Sequence, residues 1–300
     1  MPYCISKTLF IISWPFLIFV QNQMPPKDDV GETIKQLYIM DPDRANPKDI
    51  VVNYQQYSNS PRKVDPSKEK FFKFVNKSLI NAPVYKKFSV LFDNYELNTG
   101  RREVENAQET KEIDDFLAYV YNSTVFKKTF DFLKMRRQEN ATNIQNFRNF
   151  FRQLWFGYYS RRSGILDTSG FEHVFVGEIS KSQNATTAEI GGLHNWFRFY
   201  HLEQSGAADY SGFVVRRRNL FAMIQFEWQN VWKPSGSFII GSSPVFDLCA
   251  YTICFLMKPG FKSCQFDLDG CMVSVTSHKL VQNRRTFVGS AYPSPGPACR

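Results

Sequence analysis

The chain has 300 residues, 43% hydrophobic and 16% aromatic, enough to fill a substantial core in one large domain or two smaller ones. No internal repeat or low-complexity tract is visible, which excludes a solenoid or a compositionally biased chain. A net charge of +9 favours a polyanionic partner without identifying one.

The N-terminus has the form of a secretory signal peptide over residues 1–23. Lys7 supplies the positive n-region and Leu9 to Val20 the apolar run. That run is too short for a spanning helix, which needs roughly 20 residues, and no later segment is apolar enough to replace it. The expectation is a secreted, extracellular chain with no stable membrane insertion after cleavage. Four Asn-x-Ser/Thr sequons, at Asn76, Asn122, Asn140 and Asn184, make sense only in the secretory pathway and predict a glycoprotein.

From 28 to 158 the pattern is helical. Phe116, Leu117, Val120 and Tyr121 form one stripe. Phe126, Phe130 and Leu133 form a second, and Ile144, Phe147, Phe151 and Leu154 a third. Loops fall at 41–47, 58–61 and 98–100. Over 159–293 the texture changes to short strands, read at 171–179, 221–228, 272–276 and 286–292. Two helices interrupt them. One runs from about Ala188 to Glu203 with His194 at the edge of its apolar face. The other starts at Ser243 as N-cap, with Pro244 in first position, and continues to about Met257. Asp269-Gly270 marks a hairpin turn, and 294–300 is a tail. The reading is an α+β fold: a helical N-terminal region, then antiparallel sheets with packed helices.

Cys4 leaves with the signal, and Cys249, Cys254, Cys264, Cys271 and Cys299 lack the paired spacing of a zinc site. One or two disulfides plus a buried free thiol are expected. Cys249 and Cys254 fall in the apolar helical pattern and read as packing residues.

Chemistry concentrates in three boxes: Gly170-Phe-Glu-His-Val-Phe-Val-Gly-Glu178, Gly191-Gly-Leu-His-Asn-Trp196 and Trp232-Lys-Pro-Ser-Gly-Ser237. Two of only four histidines lie in them, with one lysine. A lone histidine is usually a hydrogen-bonded structural residue, and Lys-Pro before Gly-Ser usually a solvated turn. Together, however, two imidazoles and an ammonium are the set needed to cleave RNA through its own 2′-hydroxyl: a base, an acid, and a cation for the phosphate between them.

These boxes, with Leu193-His-Asn-Trp-Phe-Arg-Phe-Tyr200 and Lys233-Pro-Ser-Gly-Ser-Phe-Ile-Ile-Gly-Ser-Ser-Pro244, resemble the EndoU (XendoU-like, poly(U)-specific) endoribonucleases over about Asp29 to Tyr292. The resemblance implies His173, His194 and Lys233 as the catalytic set, with His194 as base and His173 as acid by analogy. It implies a monomeric endonuclease acting on single-stranded, uridine-containing RNA, leaving 2′,3′-cyclic phosphates, and dependent on Mn²⁺ or Ca²⁺. Glu172 and Glu178 match acidic positions around the site. Physically they orient an imidazole, bind a divalent ion, or form structural ion pairs. Arg161 either holds a phosphate or is solvated. Uridine preference in the family points to Ser290 and Tyr292, with Ser237 a second candidate for the uracil edge. His201 and His278 match nothing in the pattern and read as structural or surface residues. Two other readings compete. One is a catalytically weak secreted RNA-binding protein using Arg216-Arg-Arg218. In the other, His173, Glu178 and His194 hold a catalytic metal.

Overall fold

A computed structural model describes residues 29–161, 164–181 and 188–299. The expected leader and the Asn184 sequon lie outside the described residues. The first part holds α1 (Asp29–Met40), the antiparallel pair β1 (Ile50–Val52) and β2 (Phe72–Val75), then α2 (Lys77–Ile80), α3 (Pro83–Ser89), α4 (Ala107–Asn122), α5 (Thr124–Met135) and α6 (Ile144–Phe156). The α4 helix opens on a capping box, in which the Asn106 side chain accepts the Glu109 amide and the Glu109 carboxylate accepts the Asn106 amide. The stripes read from sequence are the buried faces. Phe116, Leu117 and Val120, then Phe126 and Leu133, then Phe147, Phe151 and Leu154 are all sealed from solvent. Phe126 and Phe147 stack across α5 and α6 at 5.1 Å.

The remainder carries β3 (Tyr158–Tyr159), β4 (Thr168–Ser169), a π-helical turn (Glu172–Val176), β5 (Glu178–Lys181), β6 (Ala188–Gly191) and α7 (Trp196–Gln204). After these come β7 (Ala208–Arg217), β8 (Phe221–Trp228), β9 (Val231–Ile239), α8 (Pro244–Met257), β10 (Gly260–Leu268), β11 (Cys271–Gln282) and β12 (Arg285–Pro295). Two three-stranded antiparallel sheets, β7-β8-β9 and β10-β11-β12, and the β5–β6 hairpin provide the walls. The mixture of helices and small antiparallel sheets is the α+β arrangement expected. The α8 helix is the pillar. Its Ser243 hydroxyl accepts the Phe246 amide at 3.0 Å, and every residue from Pro244 to Phe255 is buried. It packs on α1 and α5 on one side and β11 on the other, so one hydrophobic cluster runs from Val30 to Ala291. Asp269 and Gly270, at φ of 50° and 81°, make the left-handed turn that joins β10 to β11.

Three local readings are corrected. Residues 171–176 are not a strand. They wind into a π turn closed by the Gly177 amide on the Glu172 carbonyl at 2.8 Å, and only 178–181 is extended. Residues 188–203 are not one helix. Ala188–Gly191 pairs with β5, Gly192 and Leu193 take φ of 62° and 61°, and helix begins at Trp196 with Asn195 as N-cap. A left-handed pair cannot continue an α-helix, so the apolar spacing that crosses it has no helical meaning. Finally, Cys254 is bonded to Cys264, and Cys271 to Cys299, leaving Cys249 as the buried free thiol. A cysteine buried like a small hydrophobe fits the apolar pattern whether or not it is bonded.

Candidate active site

The π turn and the loop before α7 are laced together by backbone. The Leu193 amide donates to the His173 carbonyl at 3.0 Å and the His194 amide to the Val174 carbonyl at 2.7 Å. This approach needs Gly192, because a Cβ there would lie 1.5 Å from the His173 carbonyl oxygen. Two histidines 21 positions apart in sequence are thereby fixed to the same piece of backbone.

Each imidazole is oriented differently. His173 places Nδ1 2.8 Å from Glu178 Oε1 and Nε2 3.1 Å from the Ser290 hydroxyl. His194 donates Nδ1–H to the Ser237 carbonyl at 3.0 Å, which leaves Nε2 as the unprotonated nitrogen with no protein partner among the described residues. Burial lowers both rings below the ordinary histidine value, His194 much further because the charges of Lys233 and His173 add to it. At His173 the Glu178 hydrogen bond and charge work against burial. Lys233, in β9, donates to the Ile190 carbonyl at 2.9 Å. Burial pulls its ammonium down to about 8, with the Glu178 and Glu189 carboxylates resisting. It also lines a cleft of about 800 Å³ with Ala188, Ile190, Val231 and Pro234.

Glu178 is the hub. Its Oε1 meets His173 and lies 2.7 Å from Arg161 Nε, although that N–H is not aimed squarely at the oxygen, while Oε2 accepts the Thr168 hydroxyl at 2.6 Å. Burial pushes its carboxyl up, but His173, Arg161 and Thr168 together hold it below the usual carboxylate range. Arg161 is spent inside the protein, with Nη2 on the Tyr159 hydroxyl and the Gly289 carbonyl. Glu172 is different in kind. It is buried, one oxygen accepts the Ser169 amide, the other has no partner among the described residues, and burial with the nearby Glu178 and Glu103 pushes its carboxyl well above the usual carboxylate range. Ser169 caps the turn in return by accepting the Glu172 amide at 3.1 Å.

On the far wall β12 bulges. His278 of β11 pairs with Ser290 and Lys279 with Val288, leaving Gly289 unpaired, and the kink turns Ser290 toward His173. Tyr292 lies against His194, ring centroids 5.3 Å apart, with exposed His278 6.1 Å away. Ser237 is buried with its hydroxyl committed to the Pro293 carbonyl at 2.6 Å. It reaches the site through its own carbonyl on His194 and not through its hydroxyl. The fold thus gathers His173, His194, Lys233, Glu178, Arg161, Ser290 and Tyr292. Thr168, which the sequence reading passed over, and His278, which it read as structural or surface, also sit here.

A profile of the XendoU endoribonucleases matches residues 29–293. The chain belongs to this family. The uridylate-specific endoribonucleases of Bos taurus and Homo sapiens are each 34% identical over 278 residues, covering 89% of this chain and 65% of theirs. The chain therefore spans less than two thirds of the length of these relatives. Uridylate-specific endoribonuclease D of Xenopus laevis is 31% identical and matches 95% of this chain and 98% of its own. The solved structure of XendoU, a splicing-independent snoRNA-processing endoribonuclease, aligns with a TM-score of 0.73 at 30% identity over 90% of this chain and 97% of that one.

The basic run that suggested a binding patch is tied into the fold. Arg216 lies over the Tyr54 and Phe213 rings, Arg217 donates to the Gly296 and Pro297 carbonyls, and Arg218 to the Asp269 carbonyl. Among the described residues no three His, Cys, Asp or Glu side chains converge as a metal site. Both oxygens of Glu178 are engaged by protein groups and burial disfavours the ionised form of Glu172, so this pair offers little to a divalent ion, which takes ionised oxygen ligands.

Proposed function

We propose that this chain is a secreted, uridylate-specific endoribonuclease that cuts single-stranded RNA by attack of the 2′-hydroxyl on the adjacent phosphorus. The observation that carries the reading is the asymmetry of the two imidazoles, one neutral with a free Nε2 and the other paired to a carboxylate. His194 Nε2 takes the 2′-OH proton as the 2′-oxygen bonds to phosphorus. The bond to the 5′-oxygen breaks, and His173 in its protonated form, which Glu178 favours against burial, supplies its proton to the leaving oxygen. Lys233 stands beside the phosphate and offsets the charge that grows on it. An arriving phosphate adds negative charge to a buried cationic site, which favours protonation of His173. The products are a 2′,3′-cyclic phosphate and a 5′-hydroxyl. Uridine preference rests on Ser290 and Tyr292, and on the naming of the relatives as uridylate-specific. Monomeric action and Mn²⁺ or Ca²⁺ dependence belong to the proposal through the family resemblance alone. No step is assigned to an ion.

The signal-like N-terminus and the two disulfides support passage through an oxidising compartment, and Asn122 is exposed enough to carry glycan. The test is to incubate the purified chain with an oligonucleotide holding one uridine and with its 2′-deoxyuridine counterpart, with and without Mn²⁺. Cleavage of the first alone, ending in a cyclic phosphate, is expected. Cleavage of the second, or a 5′-phosphate product, overturns the mechanism.

A further inference from the structure

Antiparallel pairing puts Thr276 opposite Tyr292 and His278 opposite Ser290, so these four side chains share one face of the β11–β12 ribbon. Two of them, Ser290 and Tyr292, are the residues the proposed function gives to the base. The Tyr292 ring lies near two imidazoles, His194 at 5.3 Å between centroids and His278 at 6.1 Å, each tilted by 31°. His194 is buried and committed to the Ser237 carbonyl, whereas His278 stands on the solvent side, so a base that reaches Tyr292 from solvent meets His278.

His278 itself is exposed, and its only ring contact among the described residues is with Tyr292. An imidazole in that setting yields outward into solvent without breaking a hydrogen bond. It is also the direct cross-strand neighbour of Ser290, whose hydroxyl touches His173, so whatever sits beside His278 sits beside the reacting ribose.

We propose that His278 is the outer wall of the base site. The pyrimidine of the cleaved nucleotide lies between the Tyr292 and His278 rings, with the Ser290 hydroxyl at its edge. The proposal rests on the uridylate reading above and adds a residue to it. His278 acts on substrate binding and not on proton transfer, because both proton-transfer positions are already filled by His173 and His194. Its chemistry is a flat π surface, so an aromatic replacement serves and a hydrogen-bonding one does not.

The test is binding to short non-cleavable oligonucleotides that carry one 2′-deoxyuridine or its 5,6-dihydro analogue, which keeps the carbonyl and N–H edge but loses the flat ring. The expected pattern is that His278→Ala weakens binding of the uridine form about 5- to 150-fold, the worth of one stacked base. His278→Phe restores it, His278→Gln does not, and the alanine variant distinguishes the flat from the puckered base less than the native chain does, with Tyr292 alone left to stack. The melting temperature stays at the native value. Binding by His278→Ala within about twofold of the native chain, or unchanged preference for the flat base, overturns the proposal. The cleavage assay is read separately. A native chain that fails to cut at uridine refutes the nuclease reading, while the binding comparison still decides the place of His278.

Discussion

Glu178→Gln is the sharpest single test of the proton inventory. The change is isosteric, so packing around a side chain that is 2% exposed is preserved. What disappears is the negative charge that meets His173 Nδ1 at 2.8 Å. A hydrogen bond to a charged partner contributes about 1.5–3 kcal/mol, here to the protonated ring, so His173 should titrate lower in the variant. Burial already holds His173 below the ordinary value, so near pH ~7 the population of the acid form falls about 10- to 150-fold, and kcat/KM falls with it. The sign of the pH effect is fixed. The required species is the protonated one, so lowering the pH restores the variant toward the native rate. The assay is kcat/KM across pH on a single-uridine oligonucleotide, with thermal melting as a control, since Arg161 also loses its counter-charge. A variant within about threefold of native at neutral pH refutes the argument. So does a loss that does not shrink as the solution is acidified, which marks Glu178 as structural only.

Lys233→Ala should lower kcat about 10²–10³-fold, as expected for removal of one group aimed at developing charge. In the native chain the rate should fall as pH rises through about 8, where the ammonium is lost, and Lys233→Arg should carry that alkaline limb upward. A limb that stays in place in the arginine variant assigns it to another group. Gly192→Ala should leave the chain misfolded or cost more than about 4 kcal/mol, because its Cβ meets the His173 carbonyl oxygen at 1.5 Å. Gly206→Ala, with φ of +75° but nothing within 4 Å, should cost only about 1–2 kcal/mol, and equal melting temperatures for the two would contradict the clash. Ser290→Ala should reduce the ratio of uridine to cytidine cleavage by about 1 kcal/mol, or roughly fivefold, more than it reduces melting temperature. An unchanged ratio removes Ser290 from the base site.

Most of the residues that the fold gathers at the candidate site could be named from the sequence, whereas the shape of the backbone that carries them was only partly legible. Around His173 every neighbour from Phe171 to Val176 is buried except the histidine itself, so neither a two-residue nor a 3.6-residue period stands out. A decisive signal was nevertheless present. Ser169-Gly-Phe-Glu172 has the spacing of a capping box, and in the fold Ser169 and Glu172 exchange those bonds. Likewise Gly191-Gly192 followed by Asn195 spells a stop and a new N-cap, which outweighs the apolar spacing read through it. The α8 helix was legible to the residue, because Ser243-Pro244 is a strong local start. The engagement of Arg161 with Glu178, of Ser237 with Pro293, and of Ser290 with His173 was not. Those contacts join segments far apart in sequence, and spacing along the chain carries no information about them.

That separation has a consequence for when the site comes into being. Its parts span Arg161 to Tyr292, and Ser290 and Tyr292 arrive on β12, the final strand among the described residues. Contacts so distant in sequence form late, and a chain growing from its N-terminus at about 5–20 residues per second presents β12 after every other part of the candidate site. Until that strand docks beside β11, His173 has no hydroxyl partner and His194 no aromatic lid. For an enzyme of the proposed activity, this order makes cleavage at a chosen base a property of the finished fold, since a chain arrested before β12 lacks Ser290 and Tyr292.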